Sequence, residues 1–415
     1  MSLKARSLRR SFCCGNVAYF SSAAASKQKN IVFLGSPQVS LPVLDVLLDA
    51  SRVPSSIFRL AAIVTQPPSR RDRGRKVISS PVAQRALDKG FPHDLIFTPE
   101  RAGEESFISD LRALNPELCI TAAYGNILPS KFLDIPPYGT VNVHPSLLPL
   151  YRGAAPVQRA LQDGVEETGV SLAYTVRALD AGPVISHEKV EVDDYIKAPE
   201  LLLELFDKGA KLLIHEIPSI LDGSAKYKAH AQDDSKATSA PKIKPEESWV
   251  SFEQDAKQIH NKVRAFAGWP GTRARLQLID GKGNPNALEI KIITTRFCKI
   301  SETKGDEDDI LFDGGSLLIP CVGSTCLEVL ELQIPGKRVM NAVDFWNGLR
   351  GQKLKNRLHQ KGIALDYYLP HLNWKNLIRL EDFVLMMLDI SCFFLFVLEI
   401  VVMRLRLGQL SKIAF

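Results

Sequence analysis

The chain has 415 residues, of which 45% are hydrophobic and 24% charged, the profile of a globular protein with material for two cores and not of a disordered or fibrous chain. A formal charge of +6 permits an RNA partner without requiring one, so the placement of the cations matters more than their sum. The seven cysteines are odd in number and include Cys13 and Cys14 near the start, which suggests no paired disulfide framework and fits a reducing compartment.

Taken in chain order, the first stretch is basic and acid-free. Lys4, Arg6, Arg9, Arg10, Lys27 and Lys29 all precede the first acidic residue, Asp45, among serines and alanines. That composition reads as a transit peptide over 1–26, with the mitochondrial matrix favoured over a plastid. Apolar runs at 30–35, 60–65, 117–123 and 139–144 then read as buried strands. Helical patterns at 39–50, 81–89, 104–114 and 154–162 supply the crossovers, which predicts an α/β fold with a mostly parallel sheet and helices on both faces. Ligands of such sheets gather at the carboxyl ends of the strands.

A strong helix at 199–221 gives way to a polar, aperiodic stretch at 229–244 that reads as a linker. Beyond it, one helix at 252–266 and short strand-like runs at 274–279, 288–294, 316–320 and 327–332 predict a smaller β-barrel. The run 383–403 has the length of a bilayer span, but Asp389 and Glu399 interrupt it, and a central acid costs about 2.5–3.5 kcal/mol on insertion. A buried helix or an atypical terminus is the preferred reading, with no stable membrane association. Cys321 and Cys326 have no second Cys or His pair at a fitting distance, so no metal is expected and the cysteines read as structural.

The densest polar cluster is Asn142-Val-His144-Pro-Ser146-Leu147-Leu148-Pro149, at the end of a predicted strand. Alternation puts Asn142 and His144 on one face, roughly 6.6 Å apart, where a carboxamide and an imidazole can converge on one electrophile. A second turn, Leu179-Asp180-Ala-Gly182, offers a carboxylate to orient the imidazole, although Asp180 equally suits an Asx turn or a helix cap. Spacing alone does not bring the three together. No glycine-rich dinucleotide fingerprint, Walker-type phosphate loop or Gly-x-Ser-x-Gly elbow is present, which argues against nicotinamide, ATP and esterase chemistry.

Gly35-Ser-Pro37, Tyr124-Gly125-Asn-Ile127-Leu128-Pro129, the Asn142–Pro149 cluster, Tyr151-Arg152-Gly-Ala-Ala-Pro-Val-Gln158 and Leu179-Asp180-Ala-Gly182 occur in one order, and together they resemble the methionyl-tRNA formyltransferase family. The likeness runs from about residue 30 to about residue 349. It implies a Rossmann-like formyltransferase domain over 30–228, a linker over 229–244, an OB-like tRNA-binding β-barrel over 245–362, and an unmatched apolar tail over 363–415. It implies a monomer that uses 10-formyltetrahydrofolate as co-substrate and methionyl initiator tRNA as acceptor, for organellar translation initiation.

By the same resemblance Asn142, His144 and Asp180 match the catalytic trio, while Ser146, Leu147, Leu148, Pro149, Tyr124, Gly125, Ile127 and Leu128 match the folate-binding loops. The trio is shared with relatives that formylate small amines, so it does not by itself choose the acceptor. The run 65–76, TQPPSRRDRGRK, carries Arg70, Arg71, Arg73, Arg75 and Lys76 against one acid, Asp72, and resembles the family's insertion that enters the end of the initiator tRNA. Arg71 and Asp72 stand where the family has a proline and an alanine. Arg152, Lys337 and Arg338 complete the expected RNA contacts.

Overall fold

The computed structural model describes residues 28–70, 77–299 and 308–356. The transit-peptide reading, the basic positions Arg71, Arg73, Arg75 and Lys76, and the apolar run 383–403 lie outside the described residues. Among the described residues no helix is long and apolar enough to cross a membrane.

The first domain runs β1 (Lys29–Gly35), α1 (Leu41–Ser51), β2 (Phe58–Val64), β3 (Ser69–Arg70), β4 (Val77–Ile78), α2 (Pro81–Asp88), β5 (Ile96–Phe97), α3 (Glu105–Ala113), β6 (Leu118–Ala122), α4 (Ser130–Leu133), β7 (Thr140–His144), α5 (Pro156–Asp163), β8 (Glu167–Tyr174), β9 (Val184–Glu191), α6 (Ala198–Leu221) and α7 (Ser224–Lys228). Its sheet has the order β5-β2-β1-β6-β7-β8-β9. The pairings from β5 through β7 are parallel, whereas β7–β8 and β8–β9 are antiparallel, so the sheet is the mostly parallel one expected, with an antiparallel edge. Strand β9 was not predicted from sequence: as an edge strand it buries only Val190 fully, and its run VISHEKVE lacks a sustained apolar signal.

Period-two alternation sorts β1 between two cores. Ile31 and Phe33 pack with Val43 and Leu47 of α1 and with Leu205, Leu213 and Ile217 of α6, while Val32 and Leu34 face Phe107, Ile108 and Leu111 of α3. Helix α6 lies so close to the sheet that a Cβ on Gly209 would stand 2.5 Å from Val143 Cγ1 and 2.8 Å from Val170 Cγ2. The strand carrying Asn142 and His144 is therefore clamped from one face.

The second domain holds α8 (Ala256–Ala265), β10 (Thr272–Ile279), β11 (Pro285–Lys299), β12 (Leu311–Asp313), β13 (Ser316–Cys321), β14 (Thr325–Gln333), β15 (Val339–Asn341), α9 (Ala342–Gly348) and β16 (Lys353–Lys355). The strands form one antiparallel sheet of order β12-β13-β14-β11-β10-β16, with β15 on β14. A bridge between Asp309 and Lys355 ties the approach to β12 to β16 and nearly closes the barrel around Leu276, Ile290, Leu317, Leu327 and Val329. Two elements differ most from the sequence reading. Helix α8 starts at Ala256 because Asp255 caps it, accepting from Lys257 N at 2.8 Å, and the strand read as 288–294 extends over the whole of β11.

The stretch 229–244 is not a loose connector. It lacks periodicity because its hydrogen bonds go to the start of β9 and to a loop of the first domain and not along one continuous strand: His230 and Val184 exchange backbone bonds, Arg152 N donates to Thr238 O, Ala240 N to Arg152 O, and Ala155 N to Ala240 O. The joint between the domains continues from there. Arg159 of α5 binds Glu247 in a two-pronged pair at 2.7 and 3.1 Å, and His260 of α8, buried, meets Asp194 O at 2.8 Å and Thr295 Oγ1 at 2.9 Å.

Candidate active site

Asn142 and His144 sit at the carboxyl end of β7, on one face as alternation requires. The Asn142 Oδ1 accepts a 2.8 Å bond from Thr121 Oγ1 on the neighbouring β6, which turns the amide so that its NH2 is the group left to donate outward. Thr121 escaped the sequence reading, although a hydroxyl inside the buried run LCITA was a usable signal.

His144 is 4% exposed. Its Nε2 lies 3.0 Å from the backbone carbonyl of Tyr151; a carbonyl only accepts, so Nε2 carries the hydrogen and Nδ1 is the nitrogen free to exchange a proton. Asp180 Oδ2 stands 3.8 Å from Nδ1, close enough for charge attraction but too far for a hydrogen bond. The carbonyl of Tyr151, and not Asp180, thus fixes the ring. Asp180 Oδ2 instead accepts from Gly153 N at 2.9 Å.

Both turns adopt uncommon backbone. Tyr151 has φ 59° and Asp180 φ 46°, left-handed values that a non-glycine residue holds only when neighbours over-determine them. For Asp180 the neighbours are explicit: Gln232 Nε2 donates to Asp180 O at 2.8 Å and to Gly182 O at 2.7 Å, and Gly182 is packed so that a Cβ would fall 1.7 Å from Tyr174 O. Glycine is required there for close approach.

The residues expected to hold folate divide by environment. Ser146 is fully buried and its hydroxyl closes its own loop, donating to Leu150 O at 2.6 Å. Ser171 binds Ser146 O and Leu148 N at 2.7 and 3.1 Å, so these backbone groups brace the loop. Leu147, Leu148 and Pro149 are partly exposed, and Leu147 packs over Gly169, whose absent Cβ would meet it at 2.5 Å. On the other loop Tyr124 is buried, Gly125 is exposed, Leu128 is partly buried, and Ile127 is 91% exposed. Ile127 and Leu179, 70% exposed, are large apolar groups standing out on the two loops that follow the strands.

Beside this cluster, at the carboxyl ends of β1, β2 and β6 where the strand order reverses, lies a cleft of about 360 Å³ lined by Ser36, Gln66, Ser69, Ser80, Tyr124 and Gly125. Its rim includes the stem of the basic loop, in which Ser69 pairs with Ile78 and Arg70 with Val77. Lys337 and Arg338 are exposed in the turn between β14 and β15. Arg152 is placed differently from the expectation of an RNA contact: its guanidinium donates to Gln232 Oε1 at 2.9 Å and Asp234 Oδ1 at 2.8 Å and is 15% exposed.

Residues 29–217 match the formyl transferase family and residues 242–350 match the C-terminal domain of formyl transferases, which gives the class. A methionyl-tRNA formyltransferase of Bacillus licheniformis is 34% identical over 318 residues, covering 77% of this chain and 94% of the relative. That of Thermotoga maritima is 35% identical over 324 residues, covering 78% and 95%. The chain belongs to the methionyl-tRNA formyltransferase family. A sugar 3-N-formyltransferase crystallised in the presence of dTDP and 5-N-formyl-THF shares the fold, with a TM-score of 0.51 at 17% identity over 75% of this chain and 99% of its own.

Proposed function

We propose that this chain transfers the formyl group of 10-formyltetrahydrofolate to the α-amino group of methionyl initiator tRNA, and that it does so in the mitochondrial matrix for organellar initiation. The single observation that carries the reaction is the convergence of Asn142 and His144 on one strand end with Asp180 beside the free imidazole nitrogen. The folate supplies the formyl group and leaves with a proton on its N10. The chain's residues do the rest. The Asn142 NH2 donates to the formyl oxygen as charge develops on it; a donor of this kind is worth about a hundred- to a thousandfold in rate. The attacking amine gives a proton to His144 Nδ1 as its N–C bond forms, the C–N10 bond breaks, and Nδ1 passes that proton toward N10.

Leu147, Leu148, Pro149, Ile127 and Leu128 form the apolar wall for the folate, and the basic loop bearing Arg70, Arg71, Arg73, Arg75 and Lys76 answers acceptor-stem phosphates. Support for an RNA acceptor over a small amine comes from that loop and from the second domain, joined to the first through Arg159–Glu247 and His260. The chain functions as a monomer.

The reaction is tested with the protein lacking residues 1–26, using methionyl initiator tRNA and 10-formyltetrahydrofolate. Formylation that disappears in His144→Ala is the expected result; folate binding without formylation of this tRNA in either protein would redirect the acceptor to a small amine. The compartment is tested by fusing residues 1–26 to a fluorescent protein, which is expected in mitochondria. A cytosolic fusion would remove the organellar part.

A further inference from the structure

The segment between the domains touches the catalytic residues through named atoms. Gln232 Nε2 makes two donated bonds, to Asp180 O and Gly182 O at 2.8 and 2.7 Å. Its Oε1 accepts from Arg152 Nε at 2.9 Å, and the same guanidinium reaches Asp234 at 2.8 Å. One residue on, Gly153 N donates to the Asp180 carboxylate at 2.9 Å. One residue back, Tyr151 supplies the carbonyl that holds His144, and its own N–H is held by Thr238 Oγ1 at 2.8 Å. The fit is tight: Gly153 has φ 133°, and a Cβ there would lie 2.5 Å from Ala240 O. A continuous path thus runs from the imidazole through Tyr151, Arg152 and Gln232 to the Asp180 backbone, while Gly153 N holds the Asp180 carboxylate.

We infer that Gln232 and Arg152 are positioning residues for formyl transfer: the segment from His230 to Ala240 acts as a strap that holds Asp180 in its left-handed turn and Tyr151 in its own, and so sets the His144–Asp180 pair. The observations favour this role for Arg152 over an RNA contact, because its guanidinium is mostly covered and answered within the chain. Gln232 has no charge to offer a phosphate, and its two donors are aimed at carbonyls whose turn would otherwise relax. A displacement of about 1 Å in such a constellation costs about a hundredfold in rate.

The kinetic arm of the test rests on the formyl-transfer reading; the spectroscopic arm does not. Gln232→Glu keeps an acceptor for Arg152 but removes both donated bonds, and Arg152→Gln removes the cation. In steady-state formylation kcat is expected to fall about ten- to a hundredfold in both variants, with KM for tRNA and donor held within about twofold. The ¹⁵N resonances of the His144 imidazole in the substrate-free full chain are expected to move in both. A raised KM for tRNA with kcat kept in Arg152→Gln, together with unmoved imidazole signals, would overturn the proposal, as would a kcat loss that tracks a lowered melting temperature while the imidazole stays as in the parent. If the parent chain fails to formylate methionyl-tRNA but the imidazole signals move, the reaction reading falls and the positioning role stands.

Discussion

At the scale of single residues, the site's donors are oriented by hydrogen bonds to neighbours within the chain. Thr121 decides which end of the Asn142 carboxamide faces outward, since an amide whose oxygen is satisfied at 2.8 Å presents its NH2. Thr121→Val removes that bond at nearly constant volume and lets the amide turn over, so kcat is expected to fall about tenfold, the cost of one hydrogen bond of about 1.4 kcal/mol. KM should hold, because the interaction lost acts on the developing oxyanion; steady-state formylation rates check this. What was legible here follows the range of each force. Asn142 and His144 could be read from strand alternation, which is local. The carbonyl of Tyr151 and the amide of Gln232 could not, because their partners lie 7 and 52 residues away in the chain and no local pattern encodes a backbone oxygen's direction.

At the scale of elements, the antiparallel edge and the long helix decide how firmly the site is held. Strand β7 is paired on one side with β6 and on the other with β8, and α6 presses on its face through Gly209. Gly209→Ala would gain helix propensity of about 1 kcal/mol but would force Val143 and Val170, at 2.5 and 2.8 Å from the new methyl, to move in a packed core. Overpacking of this kind costs about 1–3 kcal/mol, so a net loss of stability is expected in urea unfolding, with the slope unchanged. The strands and helices of the sheet were legible because apolar runs bounded by helical periods leave few alternatives. Strand β9 and the strap were not: one is an exposed edge, and the other bonds to the tip of that edge strand and to loops.

At the scale of the whole molecule, the two domains are joined by partly buried polar contacts as well as by chain. Glu247, paired by Arg159 in two hydrogen bonds, has its carboxyl held below the usual carboxylate range by that guanidinium. A carboxyl with a depressed folded-state pKa contributes stability that is fully present above its ordinary pKa and is lost as pH falls through the lower folded value. Glu247→Gln should therefore cost about 1–2 kcal/mol at neutral pH, and the gap between variant and parent melting temperatures should narrow progressively as the solution is acidified below the ordinary glutamate range. A gap that does not narrow at all on acidification would mean that the pair is held by packing and not by charge.

The strap also imposes an order on the protein's making. Tyr151 waits for Thr238, 87 residues later, and the Asp180 turn waits for Gln232. The residues that build the sheet and its helices come first in the chain, and those that set the working geometry come later. Ile243, Ala265 and Phe266 also enter the core of the first domain. The catalytic geometry therefore depends on the part of the chain that leads into the second domain, and a first half folded without it would hold the sheet but not the Tyr151 and Asp180 turns.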